Sequence, residues 1–363
     1  MNGQRDDSYK FGAGRFIMRR GFLEDCGEEL RRYGNRPFFV GGPTAVSLVR
    51  ERARAGLARA GMEGVFSVHP GHVFHEAARE KAEEARRAGC DVVVATGGGR
   101  AMDFGKLVAY YLGVRVVCLP TSISTCAAYS PFSLIYTPEG RTVPGNFCYD
   151  MENEAILVDL DVMAGQPGRY VVSGMLDAMA KRVEIQNGSA DYPRARAPLA
   201  QYAGYVLAGL TFRELEGKID RALDSLAAGR PDAELEDMVM LNIPLTGIIS
   251  GLSHGVGQAA IAHDLYYKSR LLFTAETLGA LHGEIVGLGI LPQMYYNGQE
   301  DDIESFKAFL RRVHAPTCLT EIGFPLTDGN FEKLAAAMSE SGFVGRDEAY
   351  RARLRRGLEL IAR

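Results

Sequence analysis

Asp91-Val-Val-Val-Ala-Thr96 runs into Gly97-Gly98-Gly99 and then into Arg100-Ala-Met-Asp-Phe-Gly-Lys-Leu-Val-Ala109. The β-branched run reads as a buried strand, and the segment after the glycines has helical spacing. A strand that opens through glycines onto a helix presents bare N–H groups where the helix dipole favours an anion. Farther on, residues 114–119 form another apolar run, which ends at Pro120-Thr-Ser-Ile-Ser-Thr125. Two neighbouring strand ends carrying amides and hydroxyls make a site for a dinucleotide pyrophosphate. Taken singly, each feature has a plainer reading. The glycines fit a strand-to-helix turn needing positive φ, and their spacing is not G-x-G-x-x-G. Thr121, Ser122, Ser124 and Thr125 fit caps and turns. Beyond them, Ser130, Phe132 and Tyr136 belong to an apolar and aromatic stretch suited to a nicotinamide ring.

Outward from this stretch, strands are expected at residues 37–40, 65–68 and 156–159, with helices at 45–60 and 72–88. Strands alternating with helices predict βαβ units and a parallel sheet. Past Asp161 the strand signals stop, and helical periodicity marks residues 173–187, 198–215, 234–250, 257–268 and 279–296. The expected division is an α/β dinucleotide-binding domain over 1–161 and an all-helical metal- and substrate-binding domain over 162–363.

The chain has 363 residues, 47% apolar and 24% charged, with a formal net charge of −4. That composition is globular, long enough for two domains, and lacks the basic footprint of a nucleic-acid binder. Arg311-Arg312 and Arg355-Arg356 read as solvated helix faces. Cys26, Cys90, Cys118, Cys126, Cys148 and Cys318 form no C-x-x-C pair and read as thiols of a reducing compartment. No leader-like apolar segment opens the chain and no membrane span is expected, so it reads as cytoplasmic.

Asp177, His263 and His282 each sit among small or apolar residues on helical patterns, where an ionisable group needs a partner. A carboxylate and two imidazoles leave open positions on a divalent cation, as catalytic sites require. The alternative is three separate hydrogen-bonded core residues. His69, His72 and His75 read as a surface turn at the start of a helix, and His254 and His314 as loop residues.

These pieces together resemble the iron-containing alcohol dehydrogenase superfamily, in its glycerol-dehydrogenase-like branch. The resemblance is carried by Gly97-Gly-Gly-Arg-Ala-Met-Asp103 with Lys106, Pro120-Thr-Ser-Ile-Ser-Thr125, Ser173-Gly-Met-Leu-Asp177, Ala259-Ala-Ile-Ala-His263 and His282-Gly-Glu284. It implies the dehydroquinate synthase-like, two-domain fold with its active site in the interdomain cleft. It implies Asp177, His263 and His282 as catalytic ligands of zinc or iron. Gly97, Gly98, Gly99, Arg100, Ala101, Asp103, Thr121, Ser122 and Ser124 would meet the phosphates of NAD or NADP, with Ser130, Phe132 and Tyr136 at the nicotinamide. The implied reaction interconverts a small alcohol, a polyol or 2-hydroxy acid, and its carbonyl by hydride transfer. Relatives also imply a homo-oligomer.

Three departures bear on the substrate and cofactor. Where glycerol dehydrogenases carry an Asp for the polyol, this chain has Cys126. The pattern Thr125-Cys-Ala-Ala is nearer to relatives that reduce 2-oxo acids. A second His that often follows the first ligand His is absent, leaving Tyr266, Asp264 or water to relay a proton. The Asp that often follows the first strand is replaced by Gly41-Gly42, which removes repulsion against a 2′-phosphate and admits NADP. Glycerol dehydrogenation proper remains an alternative. Dehydroquinate synthase-like lyase chemistry is another, although few basic side chains besides Lys181, Arg182, Lys268 and Arg270 accompany the metal candidates. A third is a catalytically silent nucleotide binder, against which the intact triad argues.

Overall fold

The computed structural model describes residues 12–69, 71–253 and 259–362. His254 and positions 257–258 of one expected helix lie outside them. Six parallel strands form one sheet in the order β1-β8-β5-β4-β2-β3: β1 (Phe16–Arg19), β2 (Pro37–Gly41), β3 (Val65–Val68), β4 (Val92–Gly97), β5 (Arg115–Pro120) and β8 (Ala155–Asp159). Every residue of β2, β4 and β8 is buried, as the unbroken apolar runs require of strands covered on both faces. The short edge strand β1, half-buried and pairing with β8, carried no such signal. An antiparallel hairpin, β6 (Phe132–Tyr136) with β7 (Thr142–Cys148), projects from the same half. The expected nicotinamide wall is therefore a strand.

The helices of the first half are α1 (Cys26–Leu30), α2 (Pro43–Arg59), α3 (His75–Arg87) and α4 (Gly99–Leu112). The start of α3 corrects the expected boundary: Phe74 is extended, so only His75 of the three histidines is helical. Among the described residues everything after β8 is helical or irregular. This half comprises α5 (Leu160–Met163), α6 (Gly168–Gln186), α7 (Leu199–Ala227), α8 (Ala233–Met240), α9 (Thr246–Leu252), α10 (Ile261–Leu272) and α11 (Thr274–Thr277). It continues with α12 (His282–Asn297), α13 (Ile303–Arg312), α14 (Asp328–Ser339) and α15 (Glu348–Glu359).

A π-helical turn, Leu241–Leu245, holds Pro244 and joins α8 to α9. The resulting 20-residue run contains an 18-residue window of mean hydropathy 1.2, long and apolar enough to cross a bilayer by length and composition. That corrects the expectation of no such segment. In the fold, 61% of the run's most apolar window is buried.

Side chains alternate across a strand, and the sheet sorts them accordingly. Phe39, Val92, Val94, Val117 and Leu119 join one core with α1 and α2. Phe38, Val40, Val93, Ala95 and Cys118 join the other, which continues through Met175, Leu176, Ile261 and Ile285 into the helical half.

The chain passes from β2 to the edge strand β3 and returns to β4 on the opposite side of β2. This is the topological switch point, and ligands of open parallel sheets bind outside the strand ends there. The residues at those ends are Gly41-Gly42 and Gly97-Gly98-Gly99.

Candidate active site

The glycine run does what its position demands. Gly97 has φ 136°, a region closed to most side chains, and its carbonyl accepts from the Thr121 amide at 3.0 Å. Gly98 caps α4 in extended conformation. A Cβ on Gly98 would stand 3.1 Å from Ser122 Oγ, and one on Gly99 2.8 Å from Thr125 Oγ1. The hydroxyl loop is thus folded against the helix N-terminus, with Ser122 and Ser124 in mutual contact at 3.2 Å. The amides of Gly99 and Arg100 open α4, beyond the reach of intrahelical acceptors.

Two residues expected at the phosphates have partners within the protein. The Ala101 side chain is buried and its amide donates to the Gly98 carbonyl at 2.9 Å. Asp103 turns inward, paired with Lys106 at 2.9 Å and accepting from the Leu134 amide. Lys106 also donates to the carbonyls of Ala127, Ser130 and Phe132. Asp103 and Lys106 therefore fasten β6 to α4, and a carboxylate so held is no ligand for a phosphate.

On the helical side, Asp177 lies mid-way along α6, His263 in the first turn of α10 and His282 at the first position of α12. One ligand atom from each lies within 4.8 Å of the others. Asp177 Oδ1 stands 3.1 Å from His263 Nε2 and 3.5 Å from His282 Nε2. Close helix approach makes this possible. Gly283 lies so near α6 that a Cβ would fall 1.7 Å from the Ser173 carbonyl oxygen, and the Gly283 amide donates to Ser173 Oγ at 3.1 Å. One turn before Asp177, Gly174 packs directly on the Ile123 carbonyl, so the same helix touches the hydroxyl loop. Gln166 fixes that loop by accepting from the Ile123 amide at 2.8 Å.

Glu184 was not anticipated. Its Oε2 lies 2.6 Å from His263 Nδ1, and its Oε1 accepts from the amides of Ala260 and His263. This sets the tautomer that leaves Nε2 for a cation. The signal was present: Glu184 follows Asp177 by two helical turns and shares its face. Burial alone would raise the carboxyls of Asp177 and Glu184, but the imidazoles beside them hold both down, Asp177 well below the usual range. An anionic oxygen and two imidazole nitrogens converging in a buried space fit a divalent cation.

Tyr266 sets its ring edge against His282, centroids 4.3 Å apart, and its hydroxyl lies 3.4 Å from that of Tyr136 on β6. The two halves of the chain meet at this pair. Cys126 contacts Ser130 Oγ at 3.7 Å, and burial together with the Asp177 carboxylate pushes its thiol up. Burial likewise raises the Asp264 carboxyl to about 6, with Lys268 opposing. His69, His72 and His75 do not converge on a metal. His69 accepts from Gly71, His75 pairs with the Tyr111 hydroxyl, and His72 stacks obliquely near Tyr136. His314 sits in a loop with positive φ.

Residues 13–159 match the family model described as iron-containing alcohol dehydrogenase. The chain is 31% identical over 266 residues to a glycerol dehydrogenase of Citrobacter freundii, covering 71% of this chain and 69% of that protein. The chain belongs to the iron-containing alcohol dehydrogenase family. It is also 28% identical to a glycolaldehyde reductase of Halobacterium salinarum, over 85% of this chain and 83% of the relative. The crystal structure of a probable glycerol dehydrogenase from Sinorhizobium meliloti shares the fold, with a TM-score of 0.81 at 23% identity and 98% of each chain covered. This family member is accordingly an NAD(P)-dependent oxidoreductase of CH–OH groups and their carbonyls.

Proposed function

We propose that this chain reduces and reoxidises a small 2-oxo acid and 2-hydroxy acid pair, or a small polyol and its ketone, with zinc or iron held by Asp177, His263 and His282. The convergence of those three side chains beside the Gly97–Gly99 turn carries the reading. When bound, the cation supplies Lewis-acid polarisation of the substrate oxygen and the nicotinamide supplies or takes the hydride. The protein's own residues do the rest. Glu184 orients His263, and Tyr266 packs on His282. The Tyr136–Tyr266 hydroxyl pair lies where a proton can move between the halves of the site. Gly98, Gly99 and Arg100 present amides for a pyrophosphate, flanked by Thr121, Ser122 and Ser124. Ser130, Phe132 and Tyr136 face the nicotinamide end.

The open space beside Gly42 supports use of NADP as well as NAD. Cys126 in place of a carboxylate supports a 2-oxo acid over glycerol, since a thiol is a poor acceptor for polyol hydroxyls. Six cysteines with no disulfide among them and the small-molecule chemistry support a cytoplasmic enzyme, and the family resemblance supports a homo-oligomer.

His263→Ala tests the site. It is expected to lose bound metal and reductase activity together while nucleotide affinity, followed by cofactor fluorescence, stays near the parent value. Normal metal content with full activity would refute the ligand assignment.

A further inference from the structure

Arg270 stands in the last turn of α10 and is 6% exposed. One guanidinium nitrogen donates to the Ala280 carbonyl at 2.6 Å, two residues before His282. Its other terminal nitrogen, Nη1, is buried without a hydrogen-bond partner. Among the described residues no carboxylate lies within ion-pair distance of it. The guanidinium carbon sits 5.7 Å from the Tyr266 ring centre, on the ring that touches His282. Burial pushes Arg270 down and the like charge of Arg100 adds to this, while the neighbouring Tyr266 and Tyr136 hydroxyls oppose it without supplying a counter-ion. A buried cation with an idle donor and no counter-ion is costly unless an anion completes it.

Structural service alone explains the Ala280 contact but leaves Nη1 unaccounted for. We propose that Arg270 receives the carboxylate of a 2-oxo or 2-hydroxy acid whose reacting oxygen lies at Asp177, His263 and His282. This rests on the proposed reductase reading and selects the acid over the polyol within it. A guanidinium suits the task because its planar donors match a carboxylate and its charge is permanent.

The test compares 2-oxobutanoate with the neutral 1-hydroxy-2-butanone, and adds calorimetric binding of butyrate with reduced cofactor present. Arg270→Met is expected to lower kcat/KM for 2-oxobutanoate about 100-fold, mostly through KM, the scale of a lost charged hydrogen bond. It should weaken butyrate similarly and leave the hydroxyketone nearly unchanged. Arg270→Lys, which keeps the charge but not the fork, should lose about tenfold on the acid alone. It also serves if the Met variant melts early. Equal losses on acid and hydroxyketone, or butyrate binding indifferent to Arg270, would overturn the proposal. So would a parent enzyme that prefers dihydroxyacetone phosphate to the acid. If the parent reduces neither carbonyl yet binds butyrate through Arg270, the anion site stands and the reductase reading fails.

Discussion

Glu184 and Gly42 carry the sharpest consequences at the residue scale. Glu184 holds His263 through both ring and backbone, and such outer partners are worth about 10–100-fold in metal affinity. Glu184→Gln is therefore expected to weaken metal binding by about that factor, read by competition with a chromogenic chelator. Retained affinity would make the contact incidental. Gly42 has φ −66°, ordinary for any residue, and a Cβ there would meet only His69 Nε2, at 3.8 Å. Gly42→Asp therefore fits without strain and is expected to shift the ratio of kcat/KM values from NADP towards NAD. No shift would place recognition of the adenosine ribose elsewhere.

Among the elements, the contact of α6 with α12 decides whether the ligands meet. Gly283→Ala would drive a methyl into the Ser173 carbonyl, and overpacking of this kind costs about 1–3 kcal/mol. A lowered melting temperature with weakened metal binding is expected, because His282 rides on the same turn as Gly283. Unchanged metal affinity in a folded variant would show that the ligands tolerate helix displacement. Element types were legible because β2, β4 and β8 are unbroken apolar runs and the later helices are long. The strands β1, β6 and β7 were not, since their burial is partial and mixed.

In the whole molecule, one core passes from the sheet into the helical half, which favours cooperative unfolding over independent domains. Burial raises the thiols of Cys26 and Cys118 to about 12; they lie in the two different cores. Cys148 is exposed. Iodoacetamide at pH 8 is expected to label Cys148 first, with Cys26 and Cys118 labelled together in one thermal transition by peptide mass mapping. Early labelling of Cys26 alone would show the outer layer opening separately.

Local patterning by itself determined the alternation of strands and helices and the glycine-opened helix, because each is written in residues a few positions apart. Asp177, His263 and His282, spread over about a hundred residues, were marked as a ligand set, over three separate core residues, only through the family resemblance. Only the tertiary structure decided that Asp103 turns to Lys106 rather than to a phosphate, that Glu184 stands behind His263, and that Arg270 keeps an idle donor beside Tyr266. Those outcomes depend on which helix faces pack together across long sequence separations. The small residues that permit the packing carry no mark of the partner they will meet.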